Sequence, residues 1–376
     1  MTKQFFAKQF FDGQQLLANV AFTVANGCID TLIKNAIEPT QATCLEGLVA
    51  PGFIDIQVNG GGGKLFNQQP TLDTISCIGH AHRQFGTTGF FPTVITDDLT
   101  VMKQAADAVS KAIELGQTDV LGIHFEGPHL SVSRKGVHAE EHIRGISHSE
   151  FAQFTRADLG QVIVTLAPEN VSCDDITKLT EHGVVVCLGH SDASYEQVQK
   201  AIDAGARGFT HLFNAMSPLQ SREPGMVGAA LLDENTWCGL IVDGHHVHQA
   251  SLKLAVRAKA TGKMMLVTDA MPPVGAEQPS FRLYGQEIVR TGDRLNAQTG
   301  ELAGSVLDMA GAVKNTVEQL GLPLEEALRM ASRYPAAFAR TDHLLGDLSS
   351  GKHANFVVLN SDIAVQQTWL AGERVY

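Results

Sequence analysis

The sequence has no excess of positive charge. Its 28 lysines and arginines stand against 40 aspartates and glutamates, a formal net charge of −12 over 376 residues. A nucleic-acid-binding chain needs a basic face for the phosphates, so that class is set aside. A small anionic ligand would have to be met by local positive groups acting against the global field. Paired-cysteine motifs are also missing. Cysteines stand at 28, 44, 77, 173, 187 and 238, none as CxxC, and several fall in apolar runs such as Val184-Val185-Val186-Cys187-Leu188. Buried, reduced thiols are therefore expected. No apolar run is long enough to span a bilayer. The opening Met1-Thr2-Lys3-Gln4 leads into a strand-like segment rather than a long apolar signal region, so the cytoplasm is the expected compartment. Internal repeats and low-complexity segments are absent. Charged residues, 18% of the chain, form no long runs, which argues against disorder.

What is present is a large apolar fraction, 44% of the chain, and a length that suits a barrel of roughly 250 residues with a small satellite. Residues 1–50 read as short strands with turn signals at Asp12-Gly13 and Asn26-Gly27. Residues 346–376 read the same way, with Asn355-Phe356-Val357-Val358-Leu359-Asn360 and a strand ending at Ala371-Gly372-Glu373. The two ends are expected to pair into one small β-sandwich domain. Between them, over 51–345, short apolar strands alternate with amphipathic helices. The strands are Gly52–Val58, Gly89–Ile95, Val120–Glu126, Val162–Ala167, Val184–Leu188, Gly208–His211, Trp237–Val242 and Met265–Thr268. The helices include 72–85, 101–115, 174–182, 195–204 and 250–260. Eightfold alternation predicts a closed parallel (β/α)8 TIM-like barrel, an α/β fold. An open doubly wound sheet is the alternative, but no GxGxxG follows the first strand. Residues 281–304 break the rhythm and read as a β-hairpin inserted after the eighth strand. Gly304-Ser305 then opens a helix, with Ser305 as its N-cap.

Polar and ionisable residues collect where the strands end: Asp55, Gln57 and Asn59; His124, Glu126 and His129; His190 and Ser191; Thr210, His211 and Asn214; Asp243, His245 and His246; Thr268 and Asp269. In a barrel those ends share the face that carries the active site. A single histidine is more often structural, and it is the convergence that speaks for a site. Glu126, His190 and His211 form a sensible three-ligand set for Zn²⁺ or Fe²⁺ that leaves room for water. Asp269 would be the general base beside that water, or else a turn residue before Ala270-Met271-Pro272-Pro273. The run Gly60–Gly63 would either cradle a phosphate or permit a tight turn near the site.

The segments Pro51-Gly52-Phe53-Ile54-Asp55-Ile56-Gln57-Val58-Asn59-Gly60, His124-Phe125-Glu126-Gly127-Pro128, Leu188-Gly189-His190-Ser191, Thr210-His211-Leu212-Phe213-Asn214-Ala215-Met216 and Val267-Thr268-Asp269-Ala270 resemble the N-acetylglucosamine-6-phosphate deacetylase family of amidohydrolases, in order from about residue 50 onward. The resemblance implies hydrolysis of the N-acetyl group of N-acetyl-D-glucosamine 6-phosphate to D-glucosamine 6-phosphate and acetate, by a homodimer with one divalent transition metal per subunit. It implies Glu126, His190 and His211 as metal ligands, Asp269 as acid and base, and His138 near the acetyl carbonyl. Val137, His138, Asn214, Ala215, Arg222, His246, Leu302, Ala303 and Gly304 are implied for the sugar-phosphate pocket, with Arg222 and His246 reaching the phosphate of a neighbouring subunit's site. Many amidohydrolases carry His-x-His at the end of strand one; here Gln57 and Asn59 leave that second metal site vestigial. No barrel-strand lysine suits a carbamylated metal bridge.

The alternative within the class is another N-acyl amino sugar phosphate, such as the galactosamine epimer. The rival from a different class is a catalytically dead barrel kept as an assembly subunit, and intact Glu126, His190, His211 and Asp269 argue against it. The alternative for Arg222 is a surface pair with Glu223, and the alternative for His245, His246 and His248 is an adventitious metal cluster.

Overall fold

The computed structural model describes residues 2–298 and 300–376. Met1, in the leading segment, and Thr299, within the insertion, lie outside the described residues. Eight parallel strands form one sheet: β1 (Phe53–Val58), β2 (Thr87–Ile95), β3 (Gly122–Glu126), β4 (Gln161–Leu166), β5 (Val185–Leu188), β6 (Gly208–Phe209), β7 (Trp237–Leu240) and β8 (Met264–Leu266), hydrogen-bonded in that order. The sheet closes into a barrel where the ends of β1 and β8 meet. Val58 bridges Ala270, and the Asn59 and Gly60 amides both donate to the Ala270 carbonyl. These strands read as apolar runs because they are covered on both faces; every residue of β2 is buried.

Helices follow the strands and cover the barrel. Several start where a short polar side chain caps them: Thr71 before Leu72–Arg83, Asp98 before Leu99–Glu114, Ser172 before Cys173–Glu181 and Ser194, in a capping box with Gln197, before Tyr195–Asp203. The N-cap of the helix after the insertion differs from the sequence expectation. That helix is Met309–Asn315, and Asp308 caps it by accepting from the Gly311 amide. Ser305 instead donates to the Thr268 carbonyl and accepts from the Leu307 amide, tying the exit of the insertion to the end of β8.

The two chain ends share a seven-stranded sheet, in which Phe356–Leu359 lies antiparallel on Thr43–Pro51 and Thr43–Pro51 lies parallel to Lys3–Phe11. It has its own aromatic core: Phe5 stacks on Phe22 with ring centroids 5.1 Å apart, and Phe356 stacks on Trp369 at 5.3 Å. The insertion is a three-stranded antiparallel sheet, Ser280–Leu283, Gln286–Thr291 and Arg294–Ala297. Its third strand was not anticipated; a second turn, through Gly292 and Asp293, returns the chain once more. The underside of this sheet, with Phe281, Leu283, Ile288 and Leu295, packs on Leu65, Ile95 and Met271 at the mouth of the barrel. All six cysteines are free, but only Cys187 and Cys238 are buried. Cys44 and Cys173 lie on solvent-facing positions of a terminal strand and a helix first turn, against the expectation of burial.

Candidate active site

The strand ends open on a cavity of about 200 Å³ lined by Asn59, Glu126, His138, His190, His211 and Asp269, with Val137, Asn214, Ala215, His246, Leu302 and Gly304 around the rest of its wall. Glu126 Oε1 lies 3.2 Å from His190 Nε2 and 3.0 Å from His211 Nε2, and the two Nε2 atoms are 3.0 Å apart. Four non-glycine residues at the site, His190, His211, Ala215 and Asp269, hold positive φ angles of 47°, 35°, 51° and 53°. That conformation costs free energy for a residue with a Cβ, and it persists where surrounding structure fixes it. At His190 the fixing groups are explicit. Its carbonyl accepts from the Ser131 amide, and its Nδ1 donates to the Arg134 carbonyl at 2.9 Å.

With Nδ1 protonated, His190 presents a lone pair at Nε2. Three acceptor atoms facing one another at 3.0–3.2 Å repel unless a cation stands among them. Ligands held at roughly 2.0–2.2 Å on one zinc-like ion lie about 3–3.5 Å from each other, so the donor set and its spacing fit a divalent transition ion. In the chain alone a proton answers the same demand. Burial pushes the Glu126 carboxyl up, but hydrogen bonds from His190 and His211 outweigh it and hold Glu126 well below the usual carboxylate range. Burial likewise pushes His211 down, and Glu126 beside it reverses the direction. A ligand atom of His138 also falls within 4.8 Å of those of Glu126 and His190. Burial depresses His138 to about 3, so its ring is neutral.

Gln57 and Asn59 face the carboxylates as donors. Gln57 Nε2 lies 3.1 Å from both Glu126 oxygens and 3.3 Å from Asp269 Oδ1, and Asn59 Nδ2 donates to Asp269 Oδ1 at 2.6 Å. An amide N–H aimed at the site cannot ligate a metal. Asp269 is raised to about 6 by burial and by the charge of Glu126, against the hydrogen bond from Asn59. One layer below, Asp55 accepts from the amides of Gln57 and Thr268 and from the Thr268 hydroxyl, and burial raises it to about 7.

Other sequence-predicted residues are placed less directly. Ala303 is buried behind the wall, and Arg222 is exposed on a loop and lines no part of this cavity. Among the described residues Arg222 has no ion pair, since Glu223 instead accepts from the amides of Tyr195 and Gly225. The three neighbouring histidines have separate partners. His245 Nε2 sits 2.8 Å from Asp293 of the inserted sheet, His246 Nδ1 donates to Asp243 at 2.6 Å, and His248 caps the following helix. The glycine run serves a turn. The amides of Gly60, Gly62 and Gly63 donate to the carbonyls of Ala270, Val274 and Pro272, which leaves none of the three for a phosphate. Sequence reasoning passed over Ile95, Gly136 and Met271 in the wall, and Thr96, whose hydroxyl meets His138 Nδ1 at 2.8 Å. Thr96 directly follows a barrel strand, the one position-based signal that could have found it.

A parallel barrel that gathers a carboxylate, three imidazoles and a second, raised carboxylate at the C-terminal ends of its strands has the layout of a barrel hydrolase. The chain belongs to the Amidohydrolase family, whose model matches residues 48–375. It is 53% identical over 330 residues to an N-acetylgalactosamine-6-phosphate deacetylase of Shewanella sp. (strain ANA-3), covering 88% of this chain and 84% of that one. It is 37% identical to an N-acetylglucosamine-6-phosphate deacetylase of Haemophilus influenzae, covering 86% and 85%. The crystal structure of N-acetylglucosamine-6-phosphate deacetylase from Pasteurella multocida superposes with a TM-score of 0.95 at 36% identity, covering 100% of this chain and 99% of the other. Among the described residues no helix is long and apolar enough to cross a membrane.

Proposed function

We propose that the protein removes the N-acetyl group of N-acetyl-D-glucosamine 6-phosphate, giving D-glucosamine 6-phosphate and acetate, in the cytoplasm. The observation that carries this reading is the close triangle of Glu126, His190 and His211 with Asp269 on the same cavity. Glu126, His190 and His211 hold one divalent transition ion, zinc or iron, which when bound supplies Lewis acidity and makes water a nucleophile near neutral pH. Gln57 and Asn59 offer N–H groups, so no second ion is held there.

The chain's own groups then do the proton work. Asp269, raised to about 6, is ionised at neutral pH and still basic enough to take a proton from the attacking water. It returns that proton to the amide nitrogen as the C–N bond breaks, so the amine leaves neutral. His138 donates a hydrogen bond to the carbonyl oxygen as negative charge develops on it. Val137, Asn214, Ala215, His246, Leu302 and Gly304 contact the sugar, with Ala303 as backing. Against a net charge of −12, a dianionic phosphate requires a local cation. Arg222, exposed and without an ion pair among the described residues, supplies it to the site of a neighbouring subunit in a homodimer, while His246 serves its own chain's cavity. We take residues 51–345 as the catalytic unit and 1–50 with 346–376 as a separate one.

A second reading, N-acetyl-D-galactosamine 6-phosphate as substrate, is favoured by the 53% identical relative named for that sugar. Acetate release is to be measured on both epimers, each with and without the 6-phosphate. Release from the phosphorylated glucosamine epimer at the higher kcat/KM supports the first reading, and the reverse order supports the second. No release from either phosphorylated sugar by metal-loaded protein would overturn both.

A further inference from the structure

A neutral imidazole donates from only one of its two nitrogens, and the partner of the other nitrogen decides which. His138 Nδ1 lies 2.8 Å from the Thr96 hydroxyl, while among the described residues Nε2 has no partner, on a ring that lines the cavity. Thr96 has a single hydroxyl proton. The acceptors within its reach are His138 Nδ1 at 2.8 Å and the Glu126 main-chain carbonyl at 3.4 Å. The longer contact is at the margin of hydrogen bonding, so the proton belongs to the shorter one. Nδ1 is then an acceptor, and the ring proton sits on Nε2.

Thr96 is itself firmly held. It follows β2 and is 1% exposed. Its main-chain carbonyl accepts from the Tyr284 hydroxyl at the tip of the inserted sheet. Space for its hydroxyl exists because residue 127 is glycine: a Cβ there would fall 2.2 Å from Thr96 Oγ1.

We propose that Thr96 is a positioning residue that fixes His138 in the Nε2–H tautomer, so that His138 donates to the acyl oxygen of the substrate and is denied to the metal as a fourth protein ligand. The second half of this statement follows from proximity. A lone pair on His138 would stand within 4.8 Å of the ligand atoms of Glu126 and His190. Joining the ion, it would take up the position that a catalytic site keeps open. An N–H cannot ligate. One hydroxyl thus decides between an open site and a closed one. The donor half of the inference rests on the deacetylase reading; the tautomer itself does not.

The test uses zinc-loaded protein with ¹⁵N-labelled histidine rings, the His138 signals being assigned by comparison with His138→Gln. In the parent protein Nε2 should carry the proton and Nδ1 should not. In Thr96→Val the other tautomer should appear, and Thr96→Ser should restore the parent pattern. On the substrate that releases acetate, Thr96→Val should lose roughly ten- to hundredfold in kcat, somewhat less than removal of an oxyanion donor outright, with KM within about twofold. Thr96→Ser should recover most of it. In cobalt-substituted protein, Thr96→Val should gain visible absorption as His138 joins the ion. A proton on Nδ1 in the parent protein would overturn the proposal, as would parent-like kcat in Thr96→Val or a Thr96→Ser no better than valine. The ring spectra need no substrate. If neither sugar is hydrolysed the proposed function falls, and the tautomer is still read.

Discussion

Replacing Asp55 by asparagine should make the protein more stable relative to the parent as the pH rises. Asp55 is fully buried on β1 and accepts from the Gln57 amide at 3.2 Å, the Thr268 amide at 3.3 Å and the Thr268 hydroxyl at 2.5 Å. Burial outweighs those three bonds and raises the carboxyl from 3.8 to about 7. Between those values the folded chain keeps a proton that the unfolded chain has released. Stability contributed by the protonated carboxyl is therefore complete below the unfolded pKa and is lost as pH rises toward the folded one. At about 1.4 kcal/mol per pH unit, a window of about three units amounts to roughly 4 kcal/mol. Asparagine has the same shape and no proton to lose. Its oxygen can accept the two amides and its nitrogen can donate to Thr268 Oγ1, whose own proton turns to the Gln57 carbonyl, already 3.4 Å away. Urea midpoints of both proteins, taken from about pH 4 to about pH 8, should show the variant gaining on the parent by about 4 kcal/mol. Asp55→Ala should be poorer at every pH, because the Gln57 and Thr268 amides are left without an acceptor at roughly 1–3 kcal/mol each. A parent-to-asparagine difference that stays constant across the window would refute the reasoning, since the carboxyl would then not be changing state there.

His82 should behave in the opposite sense. It is buried against the Gly60 carbonyl at 2.9 Å and depressed from 6.5 to about 4, so its stability contribution is present above 6.5 and is lost as pH falls toward 4; about 3 kcal/mol is involved, and His82→Gln should flatten that acid limb in the same melts. Asp269→Asn should retain metal and substrate binding and lose roughly two to four orders of magnitude in kcat, read by acetate release and elemental analysis; parent-like turnover would remove Asp269 from the chemistry. Purified protein should contain about one transition ion per chain, and Glu126→Gln should empty the site; two tightly held ions would contradict the donor roles of Gln57 and Asn59. Arg222→Ala should raise KM strongly for the phosphorylated sugar and little for the unphosphorylated one, and equal losses on both would place Arg222 elsewhere.

The barrel was legible because its strands are apolar on both faces and several of its helices begin at short polar caps. Glu126, His190, His211 and Asp269 were legible for a topological reason: parallel strands in a closed barrel bring residues after strand ends to one face, whatever their separation in sequence. Contacts that depend on which strands become neighbours were harder to see. Asp55 and Thr268 are 213 residues apart, and their pairing appears only once β1 is known to meet β8. Thr96 looked like any threonine before Asp97-Asp98, since its meaning lies in a histidine supplied by a later loop. Ser305 and Asp308 are both acceptable caps three residues apart, and sequence does not choose between them. The glycine run was ambiguous until its amides were found donating to the chain after Asp269.

The closure of the barrel joins distant parts of the chain at the site. Glu126, His190 and His211 follow β3, β5 and β6, all within the middle of the chain. Asp269 takes its setting from Asn59, 210 residues away, and from Gln57, 212 residues away. The carboxylate proposed to handle the proton therefore gains its hydrogen-bonded surroundings only where the first and last strands meet, and Gln57, which also faces Glu126, ties the proposed ligand set to the same seam. On the proposed function, turnover reports that the ring has closed.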